Sequence, residues 1–251
     1  MKHIIITSCT GEKSVSPEKS LTFADFQQGA AHVRAREQEL EQFLAPAGQM
    51  YTGDQHVRLM RGVSAIRAPA SDLSSLTSDL WILSAGYGLI PEDRIIAPYE
   101  CTFATMKRKA IRAWADTLNV PSDFRSAVAQ PYDFGLILLG DNYLQACQLD
   151  TTVKFNGFTI LFCGQGPAKN VPRLPNLRVV TLSNPEAKRF SCGLVGLKGE
   201  LAARLLKQLS ENRHHLLKLR EPGFDVLALL DKKTVKEQRT ASLFALNGGG
   251  V

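Results

Sequence analysis

A chain of 251 residues, 44% hydrophobic and 22% charged, can bury a substantial core and has the composition of an ordinary globular protein. Its formal charge of +6 and pI near 9.1 suit a polyanionic partner, but they bear on solubility and encounter rate rather than on fold. Five scattered cysteines (Cys9, Cys101, Cys147, Cys163, Cys192) form no CxxC pair and suggest neither a metal site nor a disulfide framework.

The chain begins with a strand-like run and no signal-peptide architecture, and no segment approaches the length of a membrane span, so a reducing, cytoplasmic setting is expected. Residues 4–7 read as a buried first strand, followed by the polar turn Ser8-Cys9-Thr10-Gly11-Glu12-Lys13-Ser14. Residues 22–44 read as one helix ended before Pro46, and Tyr51-Thr52-Gly53-Asp54 turns into a second helix over 55–67. Residues 79–84 form a second strand whose apolar run ends in Ser84-Ala85-Gly86-Tyr87-Gly88, opening into a long loop that reaches Cys101. Thr102 caps a helix over 103–118 whose exposed face carries Lys107, Arg108, Lys109 and Arg112. Strands follow over 133–139, 158–162 and 178–182, and a helix over 197–209. Strands alternating with helices predict an α/β fold, three layers with a mostly parallel central sheet. One domain is expected over residues 1–221. A short extension over 222–251 carries an element at 224–230 and a flexible tail ending in Gly248-Gly249-Gly250.

Three strand ends carry polar or glycine-rich turns, and a parallel sheet would bring all three to one edge. Ser8, Thr10 and Lys13 offer hydroxyls and a cation to a phosphate, or form an ordinary turn with Lys13 in solvent; the spacing is neither a P-loop nor GxGxxG. Tyr99 and Glu100, held extended after Pro98, suit a pocket that stacks a planar ring while a carboxylate orients water. Phe103 adds a second ring face. The plainer reading puts Tyr99 in the core and Glu100 in solvent. Asp141 and Asn142 pair a carboxylate with an amide able to read a base edge, although Asp141 can also serve as a helix cap. Gly86 and Gly88 satisfy backbone geometry or let a ligand approach.

Ser8-Cys9 with Lys13, the Tyr51-Thr52-Gly53 turn, the run from Leu83 to Leu89, Pro98-Tyr99-Glu100 with Thr102, and Gly140-Asp141-Asn142-Tyr143 occur in this order. The pattern resembles a large bacterial and phage family with a uracil-DNA-glycosylase-like α/β fold. Within it, the chain is most similar to anti-phage DNA glycosylases that remove glucosylated hydroxymethylcytosine. The motifs cover roughly residues 3–145.

The resemblance implies a hydrolase that cleaves an N-glycosidic bond in double-stranded DNA containing modified bases, without cofactor or metal. The nucleotide would be flipped into a pocket and cleaved through an oxocarbenium-like sugar. It implies Tyr99 stacking on the base, with Phe103, Ser84, Gly86 and Tyr87 around it, Glu100 or Asp141 activating water, Asn142 recognising the base, and Ser8, Thr10 and Lys13 on a phosphate. The chain departs from the uracil-DNA-glycosylase pattern in lacking a GQDPY-type motif and a late HPSP-type loop, so the choice of carboxylate and of wedge residue stays open. The alternatives are a non-catalytic DNA-binding stress-response protein and a base-exchanging or nucleotide-processing enzyme.

Overall fold

The computed structural model describes residues 1–67 and 77–231. The expected glycine tail and the basic residues from Lys232 onward lie outside the described residues. Among them the chain runs as β1 (Lys2–Ser8), β2 (Leu21–Thr22), α1 (Phe23–Gln27), α2 (Ala30–Glu39), β3 (Ala45–Pro46), α3 (Ala47–Met50), α4 (Asp54–Arg67), β4 (Thr77–Ser84), β5 (Gly88–Pro91), β6 (Ile95–Ile96) and β7 (Tyr99–Glu100). It continues as α5 (Arg108–Thr117), α6 (Val120–Ala129), β8 (Phe134–Leu138), α7 (Asp141–Cys147), β9 (Phe158–Cys163), α8 (Gln165–Ala168), β10 (Leu177–Thr181), α9 (Asn184–Arg189), α10 (Leu194–Glu211), α11 (His215–Arg220) and α12 (Val226–Leu230).

The main sheet has the order β10-β9-β8-β1-β4-β5. All its neighbours are parallel except β4 and β5, which form an antiparallel pair. From β1 the chain steps one way to β4, then crosses back to β8 and continues outward. Right-handed connections that run in opposite directions emerge on opposite faces, and the two cores record this. Leu59 and Val63 of α4 pack with α10 against Ile5, Leu80 and Leu136. Ile111 and Trp114 of α5, Phe124 of α6 and Tyr143 of α7 pack against Ile4, Ile6, Ile82 and Ile137. Alternate residues of one strand thus feed two layers, each fully buried large side chain contributing about 1.5–3 kcal/mol.

Close helix contact sets the α4–α10 layer. A Cβ on Gly62 would lie 2.4 Å from the Ala203 Cα, and one on Gly199 would lie 2.1 Å from the Gln55 carbonyl oxygen. The start of α10 is therefore held against the start of α4. α12 extends the same core through buried Val226 and Leu230.

Five main strands lie where the sequence puts them, within two residues at each end. Three expectations need correction. The helix expected over 22–44 is broken: Gly29 adopts φ 92°, a left-handed geometry that stops α1 and restarts the chain as α2. The long loop after Ser84 is not irregular. Gly88, at φ 76°, turns the chain into β5, and two-residue ladders pair β6 with β3 and β7 with β2. The helix expected over 103–118 divides into a 3-10 turn at Phe103–Thr105, capped by Thr102, and α5. The structure also contains α6, whose start is marked by left-handed Asn119 and by Pro121 in its first turn.

Candidate active site

Strand order reverses between β1 and β8, and open α/β sheets leave a crevice beyond the carboxyl ends at such a point. The gap is spanned by Cys9, just past β1, whose Sγ lies 3.1 Å from the Tyr143 hydroxyl on α7. Tyr143 Oη is also 3.3 Å from Thr102 Oγ1. Around these groups is a cleft of about 410 Å³, also lined by Lys13, Phe23 and Glu100, within the size range of small-ligand sites.

Local pairing assembles this cleft from distant segments. The Lys13 backbone bridges Tyr51, and Gly53 N–H donates to Thr10 Oγ1 at 3.2 Å, which fixes the first turn against the start of α4. The β2–β7 ladder sets Thr22 opposite Glu100, which brings the adjacent Phe23 to the same rim. Lys13 Nζ donates to the Gly11 carbonyl at 3.2 Å, lies 4.7 Å from the Tyr99 ring centroid and 3.7 Å from Glu100 Oε1. Its side chain is 2% exposed, whereas that of Glu100 is 67% exposed. The site therefore pairs a buried ammonium with a carboxylate that water and substrate can reach.

Below the cleft lies a hydroxyl network. Tyr99 Oη sits 2.7 Å from Ser84 Oγ and 2.8 Å from Tyr51 Oη, while Ser84 Oγ accepts the N–H groups of Gly86 and Tyr87. Burial pushes the phenols of Tyr51, Tyr99 and Tyr143 well above the ordinary tyrosine range, so they remain neutral. Burial also raises the Cys101 thiol to about 12, which removes it as a nucleophile near neutral pH.

The expected residues divide accordingly. Thr10, Lys13 and Glu100 meet in the cleft, and half-buried Ser8 ends β1 beside them. Tyr99 does not offer a ring to a base: it is fully buried, with Phe26, Tyr51 and Tyr87 edge-on around it. Phe103 is buried against Tyr143. Tyr87 accepts from Ala97 N–H through its hydroxyl. Gly86 gives no room to a ligand, because a Cβ there would lie 2.4 Å from the Phe26 ring, and one on Gly88 would lie 3.0 Å from the Leu118 carbonyl oxygen. Asn142 spends its amide N–H groups on the Phe103 and Ala104 carbonyls at 2.9 and 3.2 Å. It anchors the 3-10 turn, and those donors are not free to read a base.

Asp141 lies beside the cleft rather than in it. Gly140, not Asp141, is the N-cap of α7, and the Asp141 carboxylate faces Lys198. The Lys198 Nζ reaches from α10 to the Leu139 carbonyl at 2.7 Å, and burial lowers its pKa against the opposing pull of Asp141.

Several residues here were not recognised from sequence. Phe23 presents a half-buried ring, held edge-on to Trp114 at 4.9 Å. The signal Lys198 offers in the sequence is a lysine set between Gly196 and Gly199 in a helix that is otherwise apolar at Leu197 and Leu201. Leu194 and Val195, 48% and 78% exposed, begin α10 at this edge. A larger cavity of about 580 Å³ lies away from this edge, beside the Arg67–Glu92 pair, and holds none of these groups.

A family model described as a family of unknown function (DUF6884) matches residues 33–160, half of the chain. The chain belongs to this family. The matched stretch takes in Glu100, Tyr143, Asp141 and Asn142, whereas Lys13 and Lys198 fall outside it. No curated protein and no solved structure matches the chain.

Proposed function

We propose that the protein is a DNA glycosylase that hydrolyses the N-glycosidic bond of a modified base flipped into the cleft. The observation that carries this reading is Glu100, an accessible carboxylate on the cleft rim 3.7 Å from the buried ammonium of Lys13. Breaking the bond builds positive charge on the sugar and negative charge on the departing base. Glu100 would stabilise the first and orient the attacking water. Lys13 and the neutral hydroxyls of Tyr143 and Thr102 would bind the second. Because Asp141 is outside the cleft and faces Lys198, Glu100 is the carboxylate assigned to water activation.

Other features support a nucleic-acid substrate. Phe23 supplies the partly exposed ring that Tyr99 does not, and base stacking on such a ring contributes about 1–3 kcal/mol. Lys107, Arg108, Lys109 and Arg112 are exposed and follow the cleft-lining Met106 in the chain, suited to phosphates. Leu194 and Val195 can fill the gap a flipped base leaves. A mostly parallel α/β/α sheet is compatible with a uracil-DNA-glycosylase-like fold. Glucosylated hydroxymethylcytosine in phage DNA is the substrate the motif resemblance favours, and defence against phage the corresponding role.

The test is mass spectrometry of bases released from glucosylated phage DNA and from unmodified DNA, with alkali-labile sites counted in parallel. Release from the modified DNA is expected, falling at least about 100-fold in Glu100→Gln and far less in Asp141→Asn. Salt-sensitive DNA binding with no base released would overturn the enzyme reading and favour a non-catalytic DNA-binding protein.

A further inference from the structure

We propose that a second cavity, beside the cleft, binds a sugar-linked phosphoryl group together with a hydroxyl or N–H donor of the same ligand. The cavity, about 350 Å³, lies among α5, α7 and α8 at the carboxyl ends of β8 and β9. Arg108 and Arg112, one turn apart on α5, line it, as do Asp141 and Gln145. Neither guanidinium has a hydrogen-bond or ion-pair partner among the described residues. The Gln145 Oε1 is buried and receives no donor. Nearby amides are already committed, Gln148 Nε2 to Asp116 at 2.7 Å and Asn170 Nδ2 to the Gly166 carbonyl at 3.5 Å.

What remains is two sets of unmet groups. The paired guanidiniums can bind a phosphoryl group bidentately. The Gln145 carbonyl only accepts, and so calls for a hydroxyl or N–H donor; the Asp141 carboxylate, which faces Lys198, has room for a further one. A free inorganic anion satisfies the first set and not the second. A sugar phosphate satisfies both.

The sequence of α5 points the same way. The positive end of a helix dipole disfavours cations, yet Lys107 is the N-cap, without a side-chain cap bond. Arg108 and Lys109 follow, and no acid stands in the first turn. Arg108 and Arg112 also repel one another at i, i+4, at a cost of a few tenths of a kcal/mol. Local rules broken without internal compensation tend to mark functional sites, and a bound anion would relieve all these conflicts. The cleft and this cavity share α7, and the connection from Thr105 to Arg108 separates them, anchored through Asn142. One strand could therefore place a base in the first and, in the second, a phosphate together with an N–H donor of the neighbouring base.

The proposal depends on the nucleotide reading of the cleft only for the source of the phosphate. The test compares the Arg108→Gln/Arg112→Gln and Lys107→Gln/Lys109→Gln pairs in two assays. Fluorescence anisotropy with a labelled duplex oligodeoxynucleotide, over about 50–200 mM salt, reads backbone phosphate. Thermal shift with 2-deoxyribose 5-phosphate reads the free monoester. The arginine pair is expected to weaken the oligonucleotide about tenfold and to cut the salt slope by about 1.8, the lysine pair by less than half as much. Gln145→Leu should abolish the sugar-phosphate shift. Stabilisation by the sugar phosphate without oligonucleotide binding keeps the site and overturns the DNA reading. Base release that survives the arginine pair, with neither ligand affected, overturns the site and keeps the enzyme. Equal effects of the two pairs also overturn it, because the surface would then be merely basic.

Discussion

Lys13 Nζ lies 4.7 Å from the centroid of the Tyr99 ring, on a side chain only 2% exposed. The first turn of the chain and the Pro98-Tyr99-Glu100 segment are thus joined by a cation lying over a buried aromatic face. The arrangement stabilises modestly and places a fixed charge at the cleft.

Lys13→Met keeps most of the buried stem and removes the charge. The lost cation–π contact is worth about 0.5–2 kcal/mol, the pair with exposed Glu100 very little, and the relief of desolvating an ammonium offsets part of the loss. Urea denaturation should show a change of about 1 kcal/mol or less, while base release is lost. Full activity in a markedly less stable variant would make Lys13 a structural residue only.

Tyr99→Phe should do the opposite. It removes the hydroxyl that joins Ser84 to Tyr51 and leaves buried polar groups short of a partner, a cost of about 1–3 kcal/mol. DNA affinity should barely change, because the ring has no exposed face. Unaltered stability with weakened binding would show that Tyr99 leaves the core to meet the substrate.

His3 makes the fold acid-sensitive. It is fully buried, neither ring nitrogen has a partner, and burial, helped by the nearby N-terminal ammonium, lowers its pKa to about 4. Below pH 6.5 the unfolded chain takes up a proton that the native state refuses until about pH 4. Stability is therefore intact above pH 6.5 and falls as pH drops through that window, by about 3 kcal/mol at most. His3→Leu should flatten this part of the profile in denaturation from pH 7 to 4. An unchanged slope would show that His3 protonates equally well when folded.

Much of the sheet was legible because buried parallel strands are short apolar runs that end abruptly, as at Ser84 and Gly140. Less legible were features made by contacts between distant segments. The break at Gly29 and the hairpin at Gly88 depend on positive φ angles that glycine permits but does not announce. The β2–β7 ladder joins residues far apart in sequence, so nothing near Leu21 signals it. The sequence placed Lys13 and Glu100 at the sheet edge where the cleft lies. It overvalued Tyr99, Phe103 and Asn142, whose residue types fit recognition chemistry but whose positions are interior or already bonded.

The sequence by itself determined that strand ends carrying Ser8 to Lys13, Ser84 to Glu100 and Gly140 to Tyr143 converge at one edge of a mostly parallel sheet, since alternation of strands and helices leaves few other topologies. Tertiary structure alone decided which groups face the cleft. Exposure and hydrogen-bond partners are set by packing: Phe26 fills the space above Gly86, Tyr99 satisfies Ser84 and Tyr51, and Lys198 reaches the Leu139 carbonyl from 59 residues further on. Within the cleft, the carboxylate left accessible beside buried Lys13 is Glu100.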